Sequence, residues 1–105
     1  YALNQQMSQA LEYYKTALDI APENVAVLNN LGLAYAFNLD FMNAEETLQR
    51  ALGQPLTADK QRQIEQNLAL VYGLSGRADL AEPILRKYMP EAAVYNNLGL
   101  YAKLA

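Results

Sequence analysis

Apolar residues recur along this chain at spacings of three and four, interrupted by short clusters of proline, glycine, asparagine and aspartate. That is the pattern of consecutive amphipathic helices. Met7, Ala10, Leu11, Tyr14, Ala17 and Leu18 predict a helix from Gln6 to Ile20 that Pro22 stops. Asn24 is placed to cap a helix from Val25 to about Asn38, and Asp40 to cap one from Phe41 to about Leu52, with Gly53 and Pro55 behind it. Thr57 opens the next, which runs to about Leu74 and turns at Ser75-Gly76. A helix from Arg77 to about Tyr88 follows, and Pro90 opens a last one reaching Leu104. Tyr1 to Asn4 read as the stub of a separate, earlier helix. Pro83 conflicts with its surroundings: inside a helix it removes a hydrogen bond and clashes with the preceding turn, at about 3 kcal/mol or more. The helix either kinks there or begins near Asp79.

The helices repeat. Leu28-Asn29-Asn30-Leu31-Gly32-Leu33-Ala34-Tyr35-Ala36 returns as Glu65-Gln66-Asn67-Leu68-Ala69-Leu70-Val71-Tyr72-Gly73, and again as Tyr95-Asn96-Asn97-Leu98-Gly99-Leu100-Tyr101-Ala102-Lys103. Ala44, Leu48 and Ala51 have counterparts upstream in Ala10, Tyr14 and Ala17, and downstream in Ala81, Leu85 and Tyr88. Self-similarity at a period within about 20–50 residues marks stacked units, each too small to bury its own apolar face. At about 100° per residue, Leu28, Leu31, Gly32 and Tyr35 share one arc of their helix. Ala26, Asn30, Leu33 and Phe37 occupy nearly the opposite one. Such a helix packs against two neighbours, or against one neighbour and a ligand. Gly32 costs a helix interior about 1 kcal/mol against alanine, so its position predicts a close helix approach.

Leu31, Gly32, Tyr35, Ala44, Leu48, Ala51 and Pro55, with Leu28 in place of a leading tryptophan, resemble the tetratricopeptide repeat. The resemblance implies an all-α fold, a right-handed α-solenoid of antiparallel helix pairs. It divides one domain, 1–105, into a partial repeat 1–24, repeats 25–57 and 58–89, and a capping helix 90–105. Leu39 stands where that family commonly has glycine, so Asn38 is expected to supply any left-handed residue the turn needs.

The residue before the recurring leucine is asparagine every time: Asn30, Asn67 and Asn97. In the family the first helix of each pair lines a concave groove, and these amides resemble a ladder that hydrogen-bonds an extended peptide. An amide supplies donor and acceptor together and so matches a peptide unit whatever its side chain. The expected lining is Ala26, Asn29, Leu33 and Phe37 around Asn30, then Gln63, Gln66, Leu70 and Leu74 around Asn67. Asn96 and Leu100 accompany Asn97. The other role open to these amides is to cap or cross-link helices inside the array. The lysines and arginines with which some relatives clamp a terminal carboxylate are absent, since Ala26, Asn29, Gln63 and Asn67 occupy those places; this disfavours a receptor for chaperone tails.

Composition narrows the function further. Eight Lys and Arg against eleven Asp and Glu give a net charge of −3 with no basic block, which disfavours nucleic acid. No apolar run approaches the ~18 residues of a membrane span, so this segment is not expected to insert. There is no cysteine and no histidine. Thiolate chemistry, histidine-containing triads and the usual zinc ligand sets are therefore excluded, and neither an enzyme nor a cofactor is expected. Glu45 and Glu46 read as solvated surface.

The stretch Gln66-Asn67-Leu68-Ala69-Leu70-Val71-Tyr72-Gly73, the Gly76-Arg77 turn and the shortened unit ending at Met89-Pro90 are similar to the tetratricopeptide proteins of tight-adherence (Flp) pilus assembly, the TadD group. That resemblance implies a pilotin-like lipoprotein scaffold on the periplasmic face of the outer membrane, holding a peptide segment of the outer-membrane secretin in its groove. A generic tetratricopeptide adaptor, or a regulatory repeat domain of a larger protein, is the other reading. The repeat register places Tyr1 inside a unit, so the segment that decides between them (signal, lipidated cysteine or another domain) is expected outside these residues. Homodimerisation is expected through the end helices if the last one exposes Leu98 and Tyr101.

Overall fold

A computed structural model describes residues 2–104, except for the side chains of residues 2–5 and 7; the place of Tyr1 and the core role expected of Met7 lie outside that range. All regular structure among the described residues is helical: α1 Ala2–Ile20, α2 Val25–Phe37, α3 Phe41–Leu52, α4 Ala58–Leu74, α5 Ala78–Tyr88 and α6 Glu91–Leu104. This is the expected all-α class of helix pairs. Two compact units divide the chain after Pro55, inside the expected repeat 25–57 and two residues before its end. Among the described residues, no helix is long and apolar enough to cross a membrane.

In the first unit α2 packs on α1 and α3, and its core is Leu28, Leu31, Ala34 and Ala36 against Ala44, Leu48 and Ala51. A Cβ on Gly32 would lie 2.6 Å from Leu48 Cγ and Cδ2, so the helices approach through the missing side chain, as its position predicts. In the second unit α4 packs on both α5 and α6. Its core is Ile64, Leu68, Ala69, Val71 and Tyr72 with Ala81, Leu85, Val94 and Tyr101.

The caps follow from side chains. Asn24 accepts from Val27 N at 3.1 Å, Asp40 from Asn43 N at 3.4 Å, and Thr57 from Lys60 N at 3.2 Å. Each satisfies one of the amides that a helix start leaves without an intrahelical partner. The separate stub expected over Tyr1 to Asn4 is corrected: Ala2–Asn4 continue into α1 without a break. Asn4-Gln5-Gln6 offers no glycine, no proline and no short side chain at position 6 to cap a new start, so nothing interrupts the helix. Pro83 lies inside α5, which starts at Ala78. The bond it forgoes is to the Asp79 carbonyl in the opening turn, and Pro83 is exposed, so water can reach that oxygen.

The turns inside the two units have the same construction. Leu39 N donates to Ala36 O and Asp40 N to Tyr35 O; at the corresponding place Gly76 N donates to Gly73 O and Arg77 N to Tyr72 O. This pair of bonds closes a helix through a left-handed residue. That residue is Leu39 itself, at φ 62°, and Gly76, at φ 82°. The expectation that Asn38 would take this role is corrected, since Asn38 sits at φ −89° and the bonding pattern needs the left-handed residue one position later. For a residue with a Cβ that conformation costs roughly 1–2 kcal/mol.

Leu39→Gly is therefore expected to stabilise the first unit by up to about 1 kcal/mol, after glycine's greater freedom in the unfolded chain is deducted. Gly76→Ala should destabilise the second by about 1 kcal/mol. No atom lies within 4 Å of where the Gly76 Cβ would go, so the left-handed φ alone acts. Urea midpoints of the two variants should move in opposite directions. A shift of both in one direction would show that turn conformation is not the cause.

Candidate functional site

Asn30, Leu33 and Phe37 come together on α2, with Ala34 between them and Ala10 and Tyr14 of α1 opposite. They line an open pocket of about 290 Å³. The spacings of three and four set these α2 residues on the arc away from Leu31 and Tyr35, as the helical period requires. Phe37 is 61% exposed, Asn30 is exposed and Leu33 is half-buried. A single amide thus stands at an apolar recess of side-chain dimensions. It can pair with a backbone peptide group while the recess takes the neighbouring side chain.

Two residues expected beside Asn30 lie elsewhere. Ala26 is exposed but does not line this pocket. Asn29 is only 8% exposed and belongs to the interior, where no described side-chain nitrogen or oxygen lacks a partner. Ala10 and Tyr14 are the repeat counterparts of the buried Ala44 and Leu48. Their half-burial is what makes them pocket walls.

A second cleft, of about 680 Å³, opens on the other arc of α2, over Leu31 and Tyr35, between residues of α1 and α3. Its rim carries charges of both signs: Lys15 and Arg50, Asp19 and Glu46. Arg50 donates to Pro22 O at 2.8 Å, Lys15 stands 6.0 Å from the Tyr35 ring centre, and Thr47 donates to Asn43 O at 2.7 Å. Glu46 is exposed as expected, whereas Glu45 is half-buried and accepts from Gln49 at 3.4 Å. Reading the pair as uniformly solvated surface is corrected to that extent.

In the second unit Gln63, Asn67, Leu70 and Leu74 fall on one stripe of α4, with Gln66 beside them. Gln63 is exposed and the others are half-buried. On α6, Asn96 and Leu100 are exposed, while the Asn97 amide is engaged within the chain. Its Nδ2 donates to Ala93 O at 2.8 Å and lies 3.5 Å from Met89 Sδ. Both amide hydrogens are so engaged, leaving Oδ1 as the group that can meet a ligand.

Glu65, in the position of Leu28 and of the family's tryptophan, holds α4 to α5 instead of filling a core. It accepts from Lys87 Nζ at 3.0 and 3.1 Å and from the Tyr88 hydroxyl. Burial would raise this carboxyl, but the hydrogen bonds from Tyr88 and Lys87 outweigh it and hold the group below its ordinary value. A depressed carboxylate contributes stability above its unfolded value of about 4.3 and loses it as pH falls through the lower folded value. Glu65→Gln should thus flatten the acid limb of a stability-against-pH curve from about pH 4 downwards. Parallel acid limbs in variant and wild type would refute this.

No curated protein matches the chain. A family model does match, over the stretch that the internal register assigns to a partial unit: residues 1–24, α1 and the turn that follows it, match the tetratricopeptide repeat, a module that is typically non-catalytic and binds other proteins.

Proposed function

We propose that this chain is a protein-interaction scaffold that binds an extended segment of a partner, with one apolar side chain in the Asn30 pocket and the adjoining peptide group on the Asn30 amide. The observation that carries this reading is the conjunction of an exposed amide with Leu33, Ala34, Phe37, Ala10 and Tyr14 around one recess. The α4 stripe of Asn67, Leu70 and Leu74 and the Leu100 side of α6 offer surface of the same composition in the second unit. The partner we name is a segment of an outer-membrane secretin, bound at the periplasmic face of the outer membrane during pilus assembly; this rests on the resemblance of Asn67–Leu70, Gly76-Arg77 and Met89-Pro90. The match at residues 1–24 supports a generic adaptor, or a regulatory repeat domain, equally well.

Titrating a synthetic secretin C-terminal peptide into the chain tests both levels. Asn30→Ala should weaken binding by about 1–3 kcal/mol, because the peptide group it leaves unpaired has already lost its water. Met42→Lys, at a solvated place on α3, should leave affinity unchanged. Equal loss in both variants would remove the site from the α1–α2 face. Equal affinity for an unrelated apolar peptide would leave the adaptor reading and remove the secretin.

A further inference from the structure

We propose that the cleft over Leu31 and Tyr35 is a second docking surface, read by charge: it takes an extended segment of a protein partner whose side chains run acidic, basic, basic, acidic. The cleft lies wholly inside the first unit. There α1 and α3 each pack on α2 and not on one another, so they stand as two walls with Leu31 and Tyr35 on the floor. The α1 wall is Lys15, Leu18 and Asp19. By the repeat register these correspond to Gln49, Leu52 and Gly53, outside the Ala44, Leu48 and Ala51 stripe that seats α3 on α2. The wall is therefore not the face by which helices of the array pair, and the cleft is bounded by this unit's own three helices.

Four charged side chains, all exposed, set the pattern. Short turns join α2 to both neighbours, so α1 and α3 run in the same direction. Lys15 stands at one end, over the Tyr35 ring, and Arg50 at the other, where it donates to Pro22 O beyond Asp19. Glu46 lies one helical turn before Arg50. Along the cleft the charges therefore come from alternate walls, in the order Lys15, Glu46, Asp19 and Arg50. Among the described residues none of the four pairs with another; α2 holds the walls too far apart for that. Residues four apart on a helix are separated by about 6 Å along its axis, and side chains two apart on an extended strand by roughly 6.6 Å. An extended segment thus keeps step with both walls, turning successive side chains to α1 and α3 in alternation. The complementary order is acidic against Lys15, basic against Glu46 and Asp19, and acidic against Arg50. It reads the same from either end, so the direction of the segment does not matter. A uniformly acidic or uniformly basic segment would set two of its charges against like ones, which opposes binding; the alternation selects a segment of mixed sign.

Nuclear magnetic resonance titration tests this with two end-blocked tetrapeptides of identical composition and no net charge, Glu-Lys-Lys-Glu and Lys-Glu-Glu-Lys. Wild type should bind Glu-Lys-Lys-Glu at least about tenfold more tightly, since the other order sets every side chain against a like charge. The bound peptide should shift the amides around Asp19 and Glu46. It should be released as ionic strength rises from about 0.01 M to about 1 M, where screening shortens from about 30 Å to about 3 Å. The double variant Lys15→Glu, Asp19→Lys reverses the α1 wall at exposed sites. Each peptide then meets two like and two unlike charges, so the variant should bind both equally, with unchanged helical circular dichroism. Asn30→Ala, on the opposite arc of α2, should leave the preference intact, which separates this surface from the Asn30 pocket. A wild type that binds neither peptide or both alike, a double variant that keeps the preference, or an Asn30→Ala variant that loses it overturns the proposal.

Discussion

Leu48→Ala is expected to destabilise the first unit by about 2–5 kcal/mol, toward the upper end. Leu48 is fully buried and occupies the hollow that Gly32 leaves on α2, 2.6 Å from where a Gly32 Cβ would be. Because glycine has no side chain to move, the α2 wall cannot collapse into the space, and a poorly collapsing site retains its cavity. Gly32→Ala alone should also destabilise. Overpacking costs about 1–3 kcal/mol, and alanine's better helix propensity returns about 1 kcal/mol. Combined, the two changes should cost less than the sum of the singles by about 1 kcal/mol or more, since the new methyl fills part of the space the leucine vacates. Urea unfolding followed by circular dichroism measures all three variants. Strict additivity would mean that Gly32 and Leu48 do not share that space, and the account of the α2–α3 contact would fail. The contact matters for the proposed binding because α2 presents Asn30, Leu33 and Phe37 on its opposite arc, so its seating on α3 sets where that pocket wall stands.

The helices were legible in the sequence because their signals are local: the three-four spacing of apolar residues, and Asn24, Asp40 and Thr57 each immediately before a helix. Gly32 was legible for a similar reason, since a glycine in a helix interior needs a neighbour to explain it. What escaped depends on atoms distant in sequence or on backbone bonding. Leu39 adopts a left-handed φ because the bonds to Ala36 O and Tyr35 O require it there, and residue preference pointed one position too early. Asn29 and Asn30 are adjacent asparagines about 100° apart on the helix; one entered the interior and the other the pocket rim, and composition does not distinguish them. Asn97 has the repeat position of Asn30, yet Met89 and the Ala93 carbonyl engage its amide. The pocket walls Ala10 and Tyr14 were visible as residues but not as walls, because their half-burial depends on what packs around α1. The condition attached to homodimerisation, that the last helix expose Leu98 and Tyr101, is not met. Tyr101 is 7% exposed and Leu98 half-buried, while Tyr95, Leu100 and Leu104 are open.

The burial of Tyr101 identifies the residue on which the second unit's α4–α6 contact depends. A Cβ on Gly73 would fall onto the Tyr101 ring, 2.5 Å from its Cγ and 2.6 Å from its Cβ. Rotating the ring cannot clear this, because the Tyr101 Cβ is fixed by its own backbone, so α6 as a whole must shift. Gly73→Ala is accordingly expected to cost about 3 kcal/mol, the upper part of the range for overpacking a tight core. The Tyr101 phenol provides a local readout, since burial raises it above its ordinary value. A raised phenol contributes stability that is complete below its unfolded value of about 10 and is lost as pH rises through the higher folded value. In wild type the α4–α6 contact should loosen on that alkaline limb. In Gly73→Ala the displaced ring meets water, so the phenol should titrate near 10 and the alkaline limb should flatten. Leu100 and Asn97 on α6 move with the ring, so a peptide that uses the α4 stripe together with α6 should bind the variant more weakly, while the Asn30 pocket, formed by α1 and α2, keeps its affinity. Nuclear magnetic resonance titration of the tyrosines, alongside urea unfolding, tests the chain of cause. An unchanged unfolding midpoint with Tyr101 still titrating high would show that α6 is not seated through Gly73.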